Sequence, residues 1–149
     1  FMAAHHSKLV LDNEELTQGF FEDTRLLGIM APVKDYQFCW QLNANTQKKF
    51  RANHELEIKL KKKRYYHFSV FEYTEPAKQL THFIYNNKND GEYLLPELKH
   101  LDFLWLLKGE AAADESLPEI IQQIKTINTV QLVIELTNEK IKNKENLVL

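Results

Sequence analysis

The chain contains a single cysteine, Cys39, so no disulfide can form within it, and a reducing compartment is expected. It has no run approaching the roughly 18 apolar residues that a spanning helix needs. Near the N-terminus, His5, His6, Ser7 and Lys8 are polar and no apolar stretch of the signal-peptide kind follows, so cytoplasmic residence is expected. An excess of one charge is also missing. The 19 basic residues stand against 21 acidic ones, a formal charge of −2, which argues against a general nucleic-acid or membrane binder. The six histidines have no metal-ligand spacing, and no cofactor signature or phosphate-binding loop occurs. Neither a metal nor a cofactor is expected. Internal repeats, low-complexity stretches and linkers are absent too, so residues 2–149 are expected to form one domain, with Phe1, which precedes Met2, set aside.

What the chain does have is one dominant apolar stretch. Leu101, Phe103, Trp105 and Leu107 alternate with Asp102, Leu104 and Leu106, as in a central strand that is apolar on both faces. Further strands are expected over Lys8 to Asp12, Phe20 to Met30, Leu56 to Leu60, Tyr65 to Tyr73, Leu80 to Asn86 and Thr129 to Leu136, with a short final edge at Leu147 to Leu149. Gly28 marks a bulge or a close packing point in the second of these. A polar loop from Thr74 to Gln79, with Pro76 suited to a turn, joins two of them, in a register that pairs Tyr73 with Leu80. Asn87 to Gly91 reads as a turn, and Gly109 to Glu115 as an acidic loop.

Two helices are expected. Lys34 to Thr46 fits strand alternation as well as a helix with Tyr36, Cys39, Trp40 and Asn43 on one face; Asp35, suited to a first turn, and in part the family resemblance given below favour the helix. Ser116 and Glu119 have the spacing of a capping box ahead of Leu117, Ile120, Ile121, Ile124 and Ile127. The predicted fold is an α+β two-layer sandwich, a mostly antiparallel sheet with two helices on one face, related to the ferredoxin-like arrangement.

Leu95, Pro96, Glu97, Leu98, Lys99, His100, Leu101, Asp102 and Phe103 resemble the Ile-Pro-Glu-x-x-x-Val-Asp-Tyr signature of the bacterial IPExxxVDY family. Pro96, Glu97 and Asp102 match it; Leu95, Leu101 and Phe103 keep apolar bulk but lose the phenol hydroxyl. Lys34 to Trp40 and Lys142 to Val148 look like the family as well. The resemblance implies a small cytoplasmic bacterial protein of no established activity.

Glu97 and Asp102 lie across one tight turn, with His100 between them, and a small enzyme would use them as acid and base. The structural alternative has Glu97 complementing the free amides of a helical turn opened by Pro96, and Asp102 capping backbone at the strand entrance. It outweighs the catalytic one, because carboxylate pairs without a nucleophile or metal cluster are common, and no catalytic residue is assigned. Cys39 reads as inert packing rather than a reactive thiol. Lys61, Lys62, Lys63 and Arg64, followed by Tyr65 and Tyr66, combine charge with stacking surface, the elements of single-strand RNA binding; a solvated hairpin tip is the bland alternative. Tyr65, Phe71, Tyr73, Leu80 and Ile84 are expected on a sheet face that two helices cannot cover, a partner surface most simply filled by a homodimer. The function expected is a noncatalytic binding or regulatory module, with an RNA-associated accessory protein as alternative.

Overall fold

The computed structural model describes residues 23–53, 57–59, 65–89, 91–114, 117–142 and 147. Its frame is a six-stranded sheet of β1 (Thr24–Met30), β2 (Arg51–Asn53), β5 (Val70–Glu75), β6 (Leu80–Asn86), β9 (Phe103–Lys108) and β10 (Leu132–Glu135). The spatial order is β10-β1-β9-β6-β5-β2, and every neighbouring pair is antiparallel. Helix α1 (Asp35–Thr46) connects β1 to β2, and α2 (Leu117–Lys125) connects β9 to β10. Alternating directions across the sheet make each helix join two strands that run the same way. The arrangement is therefore α+β with split β-α-β units, and a four-strand meander between them. Two small hairpins, β3 (Glu57–Lys59) with β4 (Tyr65–His67) and β7 (Lys88–Asn89) with β8 (Glu92–Tyr93), stand apart from the sheet.

The expected central strand is β9, flanked by β1 and β6, with Phe103 to Leu107 all buried. Its two faces feed two cores. Phe103, Trp105 and Leu107 join Leu27, Ile29, Leu80 and Ile84 under Phe38, Cys39 and Leu42 of α1 and Ile120 and Ile124 of α2. Leu104 and Leu106 join Leu26, Val70 and Tyr85 on the opposite face, covered by irregular chain that supplies Leu94, Leu95, Leu101, Leu136, Ile141 and Leu147. The second face is thus covered, contrary to the expectation that two helices leave one face bare.

Helix α1 wins over the strand alternative because the helix buries Phe38, Cys39 and Leu42 together. The expected apolar face is corrected: Tyr36 and Trp40 point outward, 58% and 72% exposed. Asp35 does sit in the first turn, accepting from the Tyr36 amide at 2.7 Å. The Asn43 side chain clasps Phe50 at both its amide (2.8 Å) and its carbonyl (3.1 Å), carrying the chain from α1 into β2.

Three other expectations change. The run from Tyr65 to Tyr73 divides at Phe68 and Ser69 into β4 and β5, and β4 pairs with β3. The β5–β6 register pairs Tyr73 with His82 and Glu75 with Leu80, two residues from the expected one; Thr74 and Glu75 leave the loop for the ladder. The acidic loop folds as a 3-10 turn, Glu110–Asp114. The expected strand at Lys8 to Asp12, Ser116 of the capping box, and Val148 and Leu149 lie outside the described residues.

Gly28 makes a close packing point rather than a bulge: it pairs with Leu104 and Ile134 in register, and a Cβ there would overlap Cδ1 of buried Leu101. Gly109, at φ +138°, has no room for a Cβ beside the backbone carbonyl of Gln79. A side-chain tip yields more easily than backbone. Gly109→Ala is expected to lower stability by about 2 to 4 kcal/mol and Gly28→Ala by about 1 to 2 kcal/mol. Urea unfolding measures both, and equal losses would contradict this account.

Candidate functional site

The turn between β8 and β9 carries the motif residues, and each is engaged. Leu95 is fully buried, and Pro96 opens a 3-10 turn, Pro96–Leu98. Glu97, in the first turn of that 3-10 segment, also reaches beyond it. Its Oε2 accepts from the Lys142 amide at 2.6 Å, tying down the chain that follows β10. Asp102 caps backbone at the strand entrance as expected: Oδ2 accepts from the Ala31 amide at 2.8 Å, while its own amide donates to the Ile29 carbonyl at 2.9 Å. Leu101 fills the space over Gly28, and Phe103 stacks on Phe38 with ring centroids 4.4 Å apart. His100 is exposed. The two carboxylates thus each accept from a backbone amide, of two different segments.

Asn87, the first residue of the expected Asn87 to Gly91 turn, organises the motif turn as well. Its side chain is fully buried at the end of β6. Nδ2 donates to the carbonyls of Leu98 (3.0 Å) and Leu101 (2.9 Å), and Oδ1 accepts from the Leu95 amide (2.9 Å). Its backbone adds bonds to the Asp102 carbonyl and the Leu94 amide. An asparagine beside Asn86, Lys88 and Asn89 looks like one more turn residue; only burial distinguishes it.

Beside the turn lies a cleft of about 400 Å³. Val33, Leu101 and Phe103 give it an apolar floor; Asn86, Lys88, Asn89, Lys99 and Asp102 ring it; Tyr93 forms a wall. The hairpin β7–β8 sets Tyr93 opposite Lys88. The ammonium groups of Lys88 and Lys99 stand 5.7 and 5.8 Å from the centre of the Tyr93 ring, within cation–π range. Burial raises the Asp102 carboxyl above its ordinary value, and the Ala31 amide offsets part of that. A converging pair of cations beside an aromatic wall is chemically suited to holding an anion.

A second polar cluster ends the helix-side core. Trp105 Nε1 donates to His82 Nδ1 at 3.0 Å, and His82 Nε2 lies 3.2 Å from Glu75 Oε1. An indole N–H only donates, so Nδ1 holds a lone pair and Nε2 carries the proton toward Glu75. Lys48, 3.3 Å from Glu75, closes the line. Burial raises the Glu75 carboxyl, but His82, Lys48 and Lys78 together outweigh it and hold the group below its ordinary value. His82 is 1% exposed, which suits a core brace and not a group that meets substrate.

The remaining candidates scatter. Leu80 and Ile84 are buried under the helices, and Phe71 and Tyr73 are half-buried on that same side, so they do not form an open partner face. Tyr65 lies on β4, with its side chain outside the described residues, as are Lys61, Lys62, Lys63 and Arg64. The Cys39 thiol is pushed far above its ordinary value by burial and then by Asp35, the state of an inert core thiol. Among the described residues no cluster of three metal-ligating side chains occurs, and no helix is long and apolar enough to cross a membrane. No family model and no curated protein matches the chain.

Replacing Asn87 by Ala strands the buried Leu95 amide and Leu101 carbonyl, while the Leu98 carbonyl keeps the Leu101 amide, and a loss of about 2 to 4 kcal/mol is expected in urea unfolding; a loss under about 1 kcal/mol would show the amide to be dispensable. For Glu75, the lowered carboxyl contributes stability that is present above its ordinary value of 4.5 and is lost as the pH falls through the lower folded value. Glu75→Gln is therefore expected to flatten the acid limb of the stability–pH curve below that point. An unchanged limb would assign the acid loss to other carboxylates.

Proposed function

We propose that the protein is a noncatalytic binding module that takes a small anion, a carboxylate or a phosphate, in the cleft between the β7–β8 hairpin and the motif turn. The carrying observation is the convergence of Lys88 and Lys99 on the Tyr93 ring at the mouth of that cleft. In a chain with a net charge of −2, two lysines facing one aromatic ring give an anion local positive charge to meet. The apolar floor supplies contact area, and the side-chain amide of Asn86 at the rim supplies hydrogen-bond capacity. The engagement of Glu97 and Asp102 with backbone amides supports binding over catalysis.

Membership of the IPExxxVDY family belongs to the same proposal. It is supported by Pro96, Glu97 and Asp102 each having a task in the turn: opening it, holding the chain after β10 and joining it to β1. Bacterial origin follows from that membership, and cytoplasmic residence is supported by the lone, buried Cys39.

Titration calorimetry with inorganic pyrophosphate and, separately, citrate tests the reading and tells phosphate from carboxylate. The Lys88→Ala/Lys99→Ala variant is expected to bind the preferred anion at least about tenfold more weakly, since hydrogen bonds to charged groups each contribute about 1.5 to 3 kcal/mol. Absence of binding by both anions, or equal binding by the variant, would refute the cleft as an anion site.

A further inference from the structure

Helix α1 is apolar on both sides. Its inner side buries Phe38, Cys39 and Leu42, while Tyr36 and Trp40, one turn apart, are the large hydrophobic side chains left exposed among the described residues. The outer stripe of Tyr36, Gln37, Trp40 and Ala44 is exposed and carries no charge; the one charged residue in the helix is Asp35, in its first turn. By contrast, α2 displays Glu119 and Lys125. A charge-free centre with Trp and Tyr is the composition of an interface core, where charged residues are depleted and these aromatics supply most of the binding energy.

From this stripe we infer that the protein forms a two-fold homodimer through α1, the two copies of the helix packing antiparallel. Two observations favour a second copy as the occupant. A neutral stripe meets itself without like-charge repulsion, whereas a strongly charged partner would find no counter-charge there. The position of Trp40 is the second: it sits at the midpoint of Asp35–Thr46, so a two-fold axis crossing the helix centre sets each Trp40 against its own equivalent, with Tyr36 one turn to either side. The small side chain of Ala44, one turn beyond Trp40, leaves room for the partner's ring. The area is also of the right order. At 58% and 72% exposure the two rings leave roughly 250 Å² in water, about a third of the ~800 Å² that each partner gives to a standard interface. Gln37 and Ala44, exposed on the same stripe, add to it. This surface is separate from the anion cleft, and either assignment can fail without the other.

Sedimentation equilibrium of the full chain tests the inference. The wild-type protein is expected to show twice the 17.6 kDa protomer mass at micromolar concentration. Tyr36→Ser/Trp40→Ser is expected to sediment as the protomer, its self-association weakened about a hundredfold or more. Both side chains are exposed, so unfolding by heat should be little changed, and circular dichroism verifies that the variant is folded. A monomeric wild type would overturn the inference, including the case where a different protein covers the stripe. A dimer that survives both substitutions would overturn it as well.

Discussion

The carboxamide of Asn87 is the interaction on which the most separate parts of this structure depend. Folding β9 into the middle of the sheet requires the chain to leave β6, run through the small hairpin and turn back under Leu94 and Leu95. That path buries the Leu95 amide and the Leu101 carbonyl, which the 3-10 turn between them does not satisfy. One amide group offers two donors and an acceptor in a fixed plane, and Asn87 uses all three. Asp102 then joins the same turn to β1, and Glu97 joins it to the chain after β10. The turn is a junction of three segments, and its polar residues act as its joints. The anion cleft borrows this rigidity: Lys99, Leu101 and Asp102 reach it from the turn, while Asn86, Lys88 and Tyr93 reach it from the strand and hairpin on either side of Asn87.

At the far end of the helix-side core, polar contacts do another job. The expected and observed registers of β5 and β6 differ by two residues, and a shift of two keeps every side chain on the same face. Burial alone cannot tell them apart. Specific pairings can: Tyr73 stacks on His82 with centroids 5.8 Å apart, Glu75 reaches His82, and Thr74 meets Thr81 at 3.3 Å. Phe50 then packs edge-on against Trp105, held in place by Asn43. The brace of Trp105, His82 and Glu75 thus selects a register that hydrophobicity leaves open.

The elements were legible where periodicity was strong. β9, the Ile-rich α2 and the β-branched β10 follow from their patterns, and the α+β class follows from their order. The motif turn was legible in outline, Asp102 as a backbone cap included. What escaped had no period. Leu94, Leu95, Leu101, Leu136, Ile141 and Leu147 cover the second sheet face from irregular chain, and apolar residues without a repeat give no sign of which surface they cover. In α1 the aromatic residues fit both periods, so the helix could be chosen while its inward face could not. Lys88, Tyr93 and Lys99 share the cleft through the fold of a hairpin, a proximity that spacing along the chain does not encode.

The place of β1 has a temporal consequence. Its neighbours are β9 and β10, and the register joins Leu27 to Trp105 and to Glu135. A chain leaving the ribosome N-terminus first presents Leu26, Leu27 and Ile29 long before either partner exists, and at about 5 to 20 residues per second the wait lasts several seconds. The meander from β2 through β5 to β6 can pair locally as it emerges, but β1 must wait for β9 and β10. Until β9 arrives, the apolar run of β1 is the segment with most to gain from a chaperone.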